Sequence, residues 1–143
     1  MFKLDLGNEN LFSIYPDEFN NGAFFIIIKN KNYILSQLHL VPLWNRLPQF
    51  EVGDYYQKSF NSHPPHRGYG MLLINTLLEN IREEIPNIQN IYSSSWIDAN
   101  NFDETDFVTD DAYRFWVNLV NNGIGERIEQ IARYRILPQN ILN

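Results

Sequence analysis

The 143-residue chain has no cysteine. That excludes a disulfide scaffold, a thiolate zinc site and a cysteine nucleophile. Positive charge is also scarce: 11 Lys and Arg stand against 17 Asp and Glu, a net −6. The bases are scattered and form no basic face of the kind a nucleic-acid binder shows. No apolar run approaches the roughly 20 residues of a membrane span. Met1-Phe2-Lys3-Leu4-Asp5 lacks the apolar stretch of a signal peptide. Neither nucleic acid nor membrane is therefore an expected partner, and the expected compartment is the cytoplasm. Repeats and low-complexity linkers are missing too, so one domain over residues 1–143 is expected. What the chain does have is apolar material. Hydrophobic residues make up 44% and aromatics 15%, enough to bury a full core without staples.

Phe2–Leu6 alternates apolar and polar residues, as a half-buried strand does. Residues 7–22 hold Gly7, Pro16 and Gly22 and read as irregular chain with a short strand at Phe12–Tyr15. Phe24–Ile28 and Tyr33–Val41 flank Lys29-Asn30-Lys31-Asn32, a hairpin signature. Glu51–Phe60 reads as a further strand, with Gly53 as a bulge position. The period then changes. Ile74, Leu77, Leu78, Ile81 and Ile85 recur at helical spacing until Pro86. Asn90–Ile97 predicts a short strand. Thr109 is an N-cap residue, and Ala112, Phe115, Trp116, Leu119 and Val120 form an apolar stripe that Gly123 ends. Ile128–Leu137 predicts a last strand. The order of elements predicts a mixed α/β (α+β) fold around one sheet.

The stretch from Phe60 to Leu72 carries the chemistry. A strand gives way to the turn His63-Pro64-Pro65-His66-Arg67-Gly68, and an amphipathic helix follows. The first N–H groups of a helix have no internal partner and lie at the positive end of its dipole, a setting that suits a phosphate. Gly68 and Gly70 allow close approach of the backbone, and Arg67 adds a bidentate cation. A P-loop would need Gly-Lys-Ser/Thr here, and a dinucleotide fingerprint would need a third glycine where Leu73 stands. On its own, the run reads first as a glycine-containing strand-to-helix turn.

Arg67-Gly68-Tyr69-Gly70-Met71-Leu72 resembles the Arg/Gln-x-x-Gly-x-Gly/Ala pyrophosphate loop of the GNAT superfamily of N-acetyltransferases. Pro64 is similar to that family's strand-to-loop junction. Thr109-Asp110-Asp111-Ala112-Tyr113-Arg114-Phe115-Trp116, with Gly123 beyond it, resembles the family's Asn-x-x-Ala-x-x-Phe-Tyr…Gly segment. The resemblance covers about residues 50–137. It implies a single mixed, mostly antiparallel sheet flanked by helices, with divergent strands over 1–50 and an acyl-CoA-binding core over 51–137. It further implies that Phe60, Ser62, Arg67, Gly68, Tyr69, Gly70, Met71, Leu72, Thr109 and Trp116 hold acetyl-CoA, with no metal. Four departures stand out. Thr109 replaces the family's frequent Asn. Leu72 replaces the loop's final Gly or Ala. Trp116 replaces the Tyr that commonly protonates the leaving thiolate. Residues 7–22 are too few for the two helices that shape the family's acceptor side.

The implied reaction moves an acetyl group from acetyl-CoA to an amine. It needs a base, a donor to the carbonyl oxygen and a proton for the thiolate. A backbone N–H near Phe60–Ser62 would serve the carbonyl. Glu51 is the candidate base, with a solvated surface charge as its plainer reading. Tyr113, one turn before Trp116, is the candidate acid, although the apolar stripe turns its ring from the cleft. His39, in Leu38-His39-Leu40, reads as a satisfied interior residue. His63-x-x-His66 has no third ligand near it in sequence and reads as turn residues. Asp98, Asp103, Glu104, Asp106, Asp110 and Asp111 form a stretch without a base. It reads as solvated loop or as a rim that favours a cationic acceptor, such as a polyamine or a Lys-bearing peptide. The alternative to an enzyme is a non-catalytic relative that binds a CoA ester or a basic protein partner, as an inhibitor or immunity protein does.

Overall fold

A computed structural model describes residues 1–62, 68–96 and 110–142. Its strands are β1 (Phe2–Gly7), β2 (Asn10–Asp17), β3 (Gly22–Lys29), β4 (Tyr33–Pro42), β5 (Asp54–Ser62), β6 (Asn90–Tyr92), β7 (Gly125–Ile128) and β8 (Arg133–Ile136). Helix α1 (Tyr69–Asn80) lies between β5 and β6, and α2 (Asp110–Asn121) precedes β7. The strands form one eight-stranded sheet in the order β1-β2-β3-β4-β5-β6-β8-β7. Every neighbouring pair is antiparallel except β5 and β6, which are parallel and are joined through α1. The fold is mixed α+β, as the order of elements predicts.

The alternation of β3 shows how the sheet acquires its two faces. Ala23, Phe25 and Ile27 are fully buried, while Phe24, Ile26 and Ile28 between them are half-buried. The buried set joins Phe12, Ile14, Leu38, Leu40 and Phe60 in one core with Leu73, Ile74 and Leu77 of α1 and Phe115, Trp116 and Leu119 of α2. A smaller cluster of Val41, Leu43, Tyr56 and Tyr92 uses the opposite parity and therefore the opposite face. Ile81 and Ile85 continue the apolar stripe of α1 through a 3₁₀ turn at Ile81–Glu83, ending before Pro86.

Residues 7–22 depart from the expected irregular chain. Asn8 and Glu9 both take positive φ, 54° and 65°, which closes a tight β1–β2 turn. The strand β2 then runs on through Pro16, paired with Ala23. Proline is tolerated there because β1 pairs only as far as Ile14, so the missing N–H faces no ladder. The expected final strand over 128–137 is instead two antiparallel strands, β7 and β8. A 3₁₀ turn at Glu129–Ile131 and Ala132 at φ 54° reverse the chain between them. The strand expected from Glu51 begins at Asp54, because Asp54 closes a turn on Glu51: its Oδ2 accepts the Glu51 N–H at 2.9 Å. The strand expected over 90–97 is short, ending its regular geometry at Tyr92.

Gly22 sits where two strands come closest. A Cβ there would lie 2.0 Å from the backbone oxygen of Leu40. Gly22→Ala is therefore expected to lower stability by about 1–3 kcal/mol, the usual cost of overpacking. Urea unfolding checks this, and a variant as stable as the parent contradicts the close approach.

Candidate functional site

The start of α1 follows from two glycines with different jobs. Gly68 is left-handed at φ 80°, with open space where a Cβ would go. The first helical bond runs from the Leu72 N–H to the Gly68 oxygen at 3.0 Å. The N–H groups of Tyr69, Gly70 and Met71 precede that bond and have no partner inside the helix. Leu72, which the resemblance assigns to acetyl-CoA, gives its backbone N–H to the helix. Gly70 is glycine for packing. A Cβ there would meet Phe60 Cζ at 3.0 Å and Phe115 Cδ1 at 3.3 Å. Those two rings stack at 4.2 Å, and they tie the end of β5 and the middle of α2 to the first turn of α1. Ser62 ends β5 opposite Ser36. Tyr69, Met71 and Leu72 lean partly buried against the core. Arg67, Thr109, the His63-x-x-His66 pair and residues 98–109 of the acidic stretch lie outside the described residues.

Beside this turn the sheet changes character. The β5–β6 ladder covers Asp54↔Asn90, Tyr55↔Ile91 and Tyr56↔Tyr92, and stops. Past Tyr92 the chain stays with β8: the Ser93 N–H donates to Tyr134 O at 2.9 Å and the Trp96 N–H to Ala132 O at 3.0 Å. Past Tyr56, β5 stays with β4, whose register steps from His39↔Ser59 to Leu40↔Gln57 and leaves Lys58 as a bulge. Side chains bridge the seam. Ser94 Oγ donates to Gln57 O at 2.5 Å, and the Trp116 indole Nε1 donates to Gln57 Oε1 at 2.9 Å. Gln57 and Trp116 are each 1% exposed. The Trp116 N–H thus has a partner within the protein. Tyr113 is on the outer side of α2, 49% exposed, with its ring edge-on to Tyr134 at 6.5 Å. Glu51 is exposed in the turn before β5, so roughly 26 Å of strand separates it from the α1 end at about 3.3 Å per residue. The structure gathers Phe60, Ser62, Gly68, Tyr69, Gly70 and Met71, and does not bring Glu51 to them.

Sequence reading missed Gln57, a polar residue in an aromatic run whose burial is its signal. It also missed the partner of His39. His39 Nε2 lies 2.6 Å from Asp17 Oδ2, with both side chains buried. Phe24 stacks on the imidazole at 4.0 Å. His39 is the satisfied interior residue its setting predicts. Burial alone would raise the Asp17 pKa. Hydrogen bonds with Asn20 and His39 and the His39 charge outweigh burial and hold it below the ordinary 3.8.

A depressed carboxylate contributes stability that is complete above its unfolded pKa and is lost as pH falls through the lower folded value. Asp17→Asn should therefore cost about 1.5–3 kcal/mol at neutral pH, the range for a hydrogen bond to a charged group. It should also flatten the loss of stability below pH 3.8. Unfolding titrations from pH 7 to pH 2 check both effects. Among known proteins, no family model matches the chain, and no curated protein matches it.

Proposed function

We propose that the chain binds acetyl-CoA at the N-terminus of α1 and transfers its acetyl group to a cationic amine, as a GNAT-like acyltransferase. The observation that carries this reading is the placement of the free helical donors. They stand just beyond the carboxyl end of β5, one strand of the sheet's single parallel pair among the described residues. In open sheets with parallel strands, ligands sit in the crevice outside the carboxyl ends of those strands. Tyr69, Gly70 and Met71 would give their N–H groups to the pyrophosphate, and Arg67 would add its guanidinium. Phe60 and Ser62 would line the path of the thioester, and the resemblance assigns Thr109 to the same cofactor. The bulge at Lys58 frees one β5 residue from the β4 ladder close to where a carbonyl oxygen needs a donor. The mostly antiparallel sheet with its two helices is compatible with the resemblance, while residues 7–22, where the family's two helices would fall, form tight turns and the strand β2.

In the transfer itself the ammonium first gives a proton to solvent, the neutral amine attacks the thioester carbonyl, and the tetrahedral intermediate expels the CoA thiolate as the nitrogen gives its surplus proton to solvent. A thiol has a pKa near 8.5, so the thiolate departs without an obligatory acid. Trp116 supplies none: an indole N–H is no useful acid, and it is already donated to Gln57. That bond is also the observation that favours a second reading, in which the domain binds a CoA ester without turnover.

Two measurements separate these readings. Acetyl-CoA at 100 times its Kd should stabilise the protein by about 2.7 kcal/mol, seen as a rise in Tm. Arg67→Glu should abolish that rise without lowering the unliganded Tm. Gly70→Val is the poorer probe because its side chain would strike Phe60. Equal stabilisation of parent and Arg67→Glu contradicts the phosphate role of the loop. Thiol release is then followed over a panel of diamines and Lys peptides. Release above the buffer rate supports transfer. Normal binding without release assigns the chain to the second reading.

A further inference from the structure

The far end of α1 holds a cavity that the reading above does not use. Its volume is about 420 Å³, within the range of small-molecule sites. It opens where the β2–β3 turn, the segment after β4 and the chain past the 3₁₀ turn meet. The 12 residues of α1 rise about 18 Å, so the cavity is remote from the Gly68 end. Three kinds of feature converge on it. Asp17, Glu18 and Glu84 are the acidic residues of its lining. Trp44 and Tyr55 contribute aromatic rings, packed edge-to-face at 5.3 Å and 80°. The C-terminal end of the α1 and 3₁₀ stack, the negative end of the helix dipole, lies at the Glu84–Pro86 wall, where Ile85 O accepts the Ile88 N–H and Pro86 O accepts from Arg82. No Lys, Arg or His is among the lining residues. Two bases touch lining residues and are engaged: His39 with Asp17 at 2.6 Å, both buried, and Arg82, whose Nη1 donates to Pro86 O at 3.0 Å in an exposed bond.

We propose that this cavity binds an aliphatic di- or triamine, with its ammonium groups at Glu18 and Glu84 and its methylene chain against Trp44 and Tyr55. A cation gains from each wall. The carboxylates attract it over several ångströms, the ring faces attract it through their quadrupoles, and the negative end of the helix dipole adds to that attraction. A hydrated divalent ion would use the carboxylates and leave the aromatic wall idle. An uncharged apolar ligand would leave the carboxylates unanswered. A chain with ammonium groups separated by methylenes answers both. Asp17 supplies background charge, since its oxygens already serve His39 and Asn20.

The test uses the full chain without any acyl-CoA, so its result is independent of the α1 N-terminal site. Isothermal titration with spermidine at low salt should show saturable one-site binding that weakens as salt is raised. Glu18→Gln combined with Glu84→Gln should weaken it about tenfold, the effect of removing two exposed ion pairs. Trp44→Leu should weaken it about two- to fivefold, the range for one exposed cation–π contact. Trp44 packs against the core, so its variant counts only if its unfolding midpoint is retained; Trp44→Phe then serves as the better-tolerated check and should hold most of the affinity. Glu126→Gln with Glu129→Gln, on and just after β7, should leave binding unchanged. Absence of saturable binding at millimolar spermidine overturns the proposal. So does an equal loss in the β7 variant, which would mean diffuse attraction to an acidic surface, and so does displacement of spermidine by equimolar Mg²⁺.

Discussion

The β5–β6 ladder ends after three residue pairs, and the architecture on the helix side follows from that ending. Two parallel strands that part company leave a seam whose backbone groups still need partners. The chain fills it with side chains in place of a ladder. Ser94 reaches Gln57 O, and the Gln57 amide receives the indole of Trp116. Because Trp116 belongs to α2, this one hydrogen bond fixes the height of α2 above the seam. Phe115, its neighbour, then meets Phe60, and the stacked rings leave room only for a glycine in the first turn of α1. The position of the α1 N-terminus is thus set by the packing around Gln57 and Trp116. A buried polar pair of this kind specifies one arrangement, since either partner alone would be an unsatisfied group in the core.

That same pair bears on chemistry. In a thioester site between diverging strands, a donor or acid placed on α2 would face the sulfur. Here the α2 residue at that height is engaged internally, and the neighbouring phenol, Tyr113, is turned to the surface. Any transfer at this site rests on positioning and on thiolate departure. Under the proposed reading the first N–H groups of α1 would grip the phosphates of a cofactor whether or not transfer follows, so binding and turnover are separate questions for this chain.

Much of the framework was legible in the sequence because it is written in period. The 3.6-residue spacing of Ile74, Leu77, Leu78 and Ile81 and the stripe through Phe115, Trp116 and Leu119 correspond to the buried faces of the two helices. Phe24–Ile28 and Tyr33–Val41 are the paired strands expected. The errors fall where backbone conformation overrides composition. Asn8 and Glu9 in left-handed geometry, Pro16 beyond the reach of β1, and Ala132 reversing the chain between β7 and β8 carry no periodic signal. The site was legible in part. The two glycines marked the helix start, but one is there for the aromatic rings beneath it and one for its positive φ. Gln57, the His39–Asp17 pair and the Trp44–Tyr55 wall each depend on residues far apart in sequence meeting across the sheet, which no local pattern encodes.

The central proposal is that the N–H groups at the head of α1, which have no partner inside the helix, hold the phosphates of coenzyme A. Amide-resolved NMR during a titration with coenzyme A tests it most directly, because it reads those donors one by one. The account predicts that the backbone amides of Tyr69, Gly70 and Met71 move furthest and saturate together, with the Trp116 indole N–H nearly still in its bond to Gln57. Saturable shifts confined to another surface, with these three amides unmoved, would contradict it.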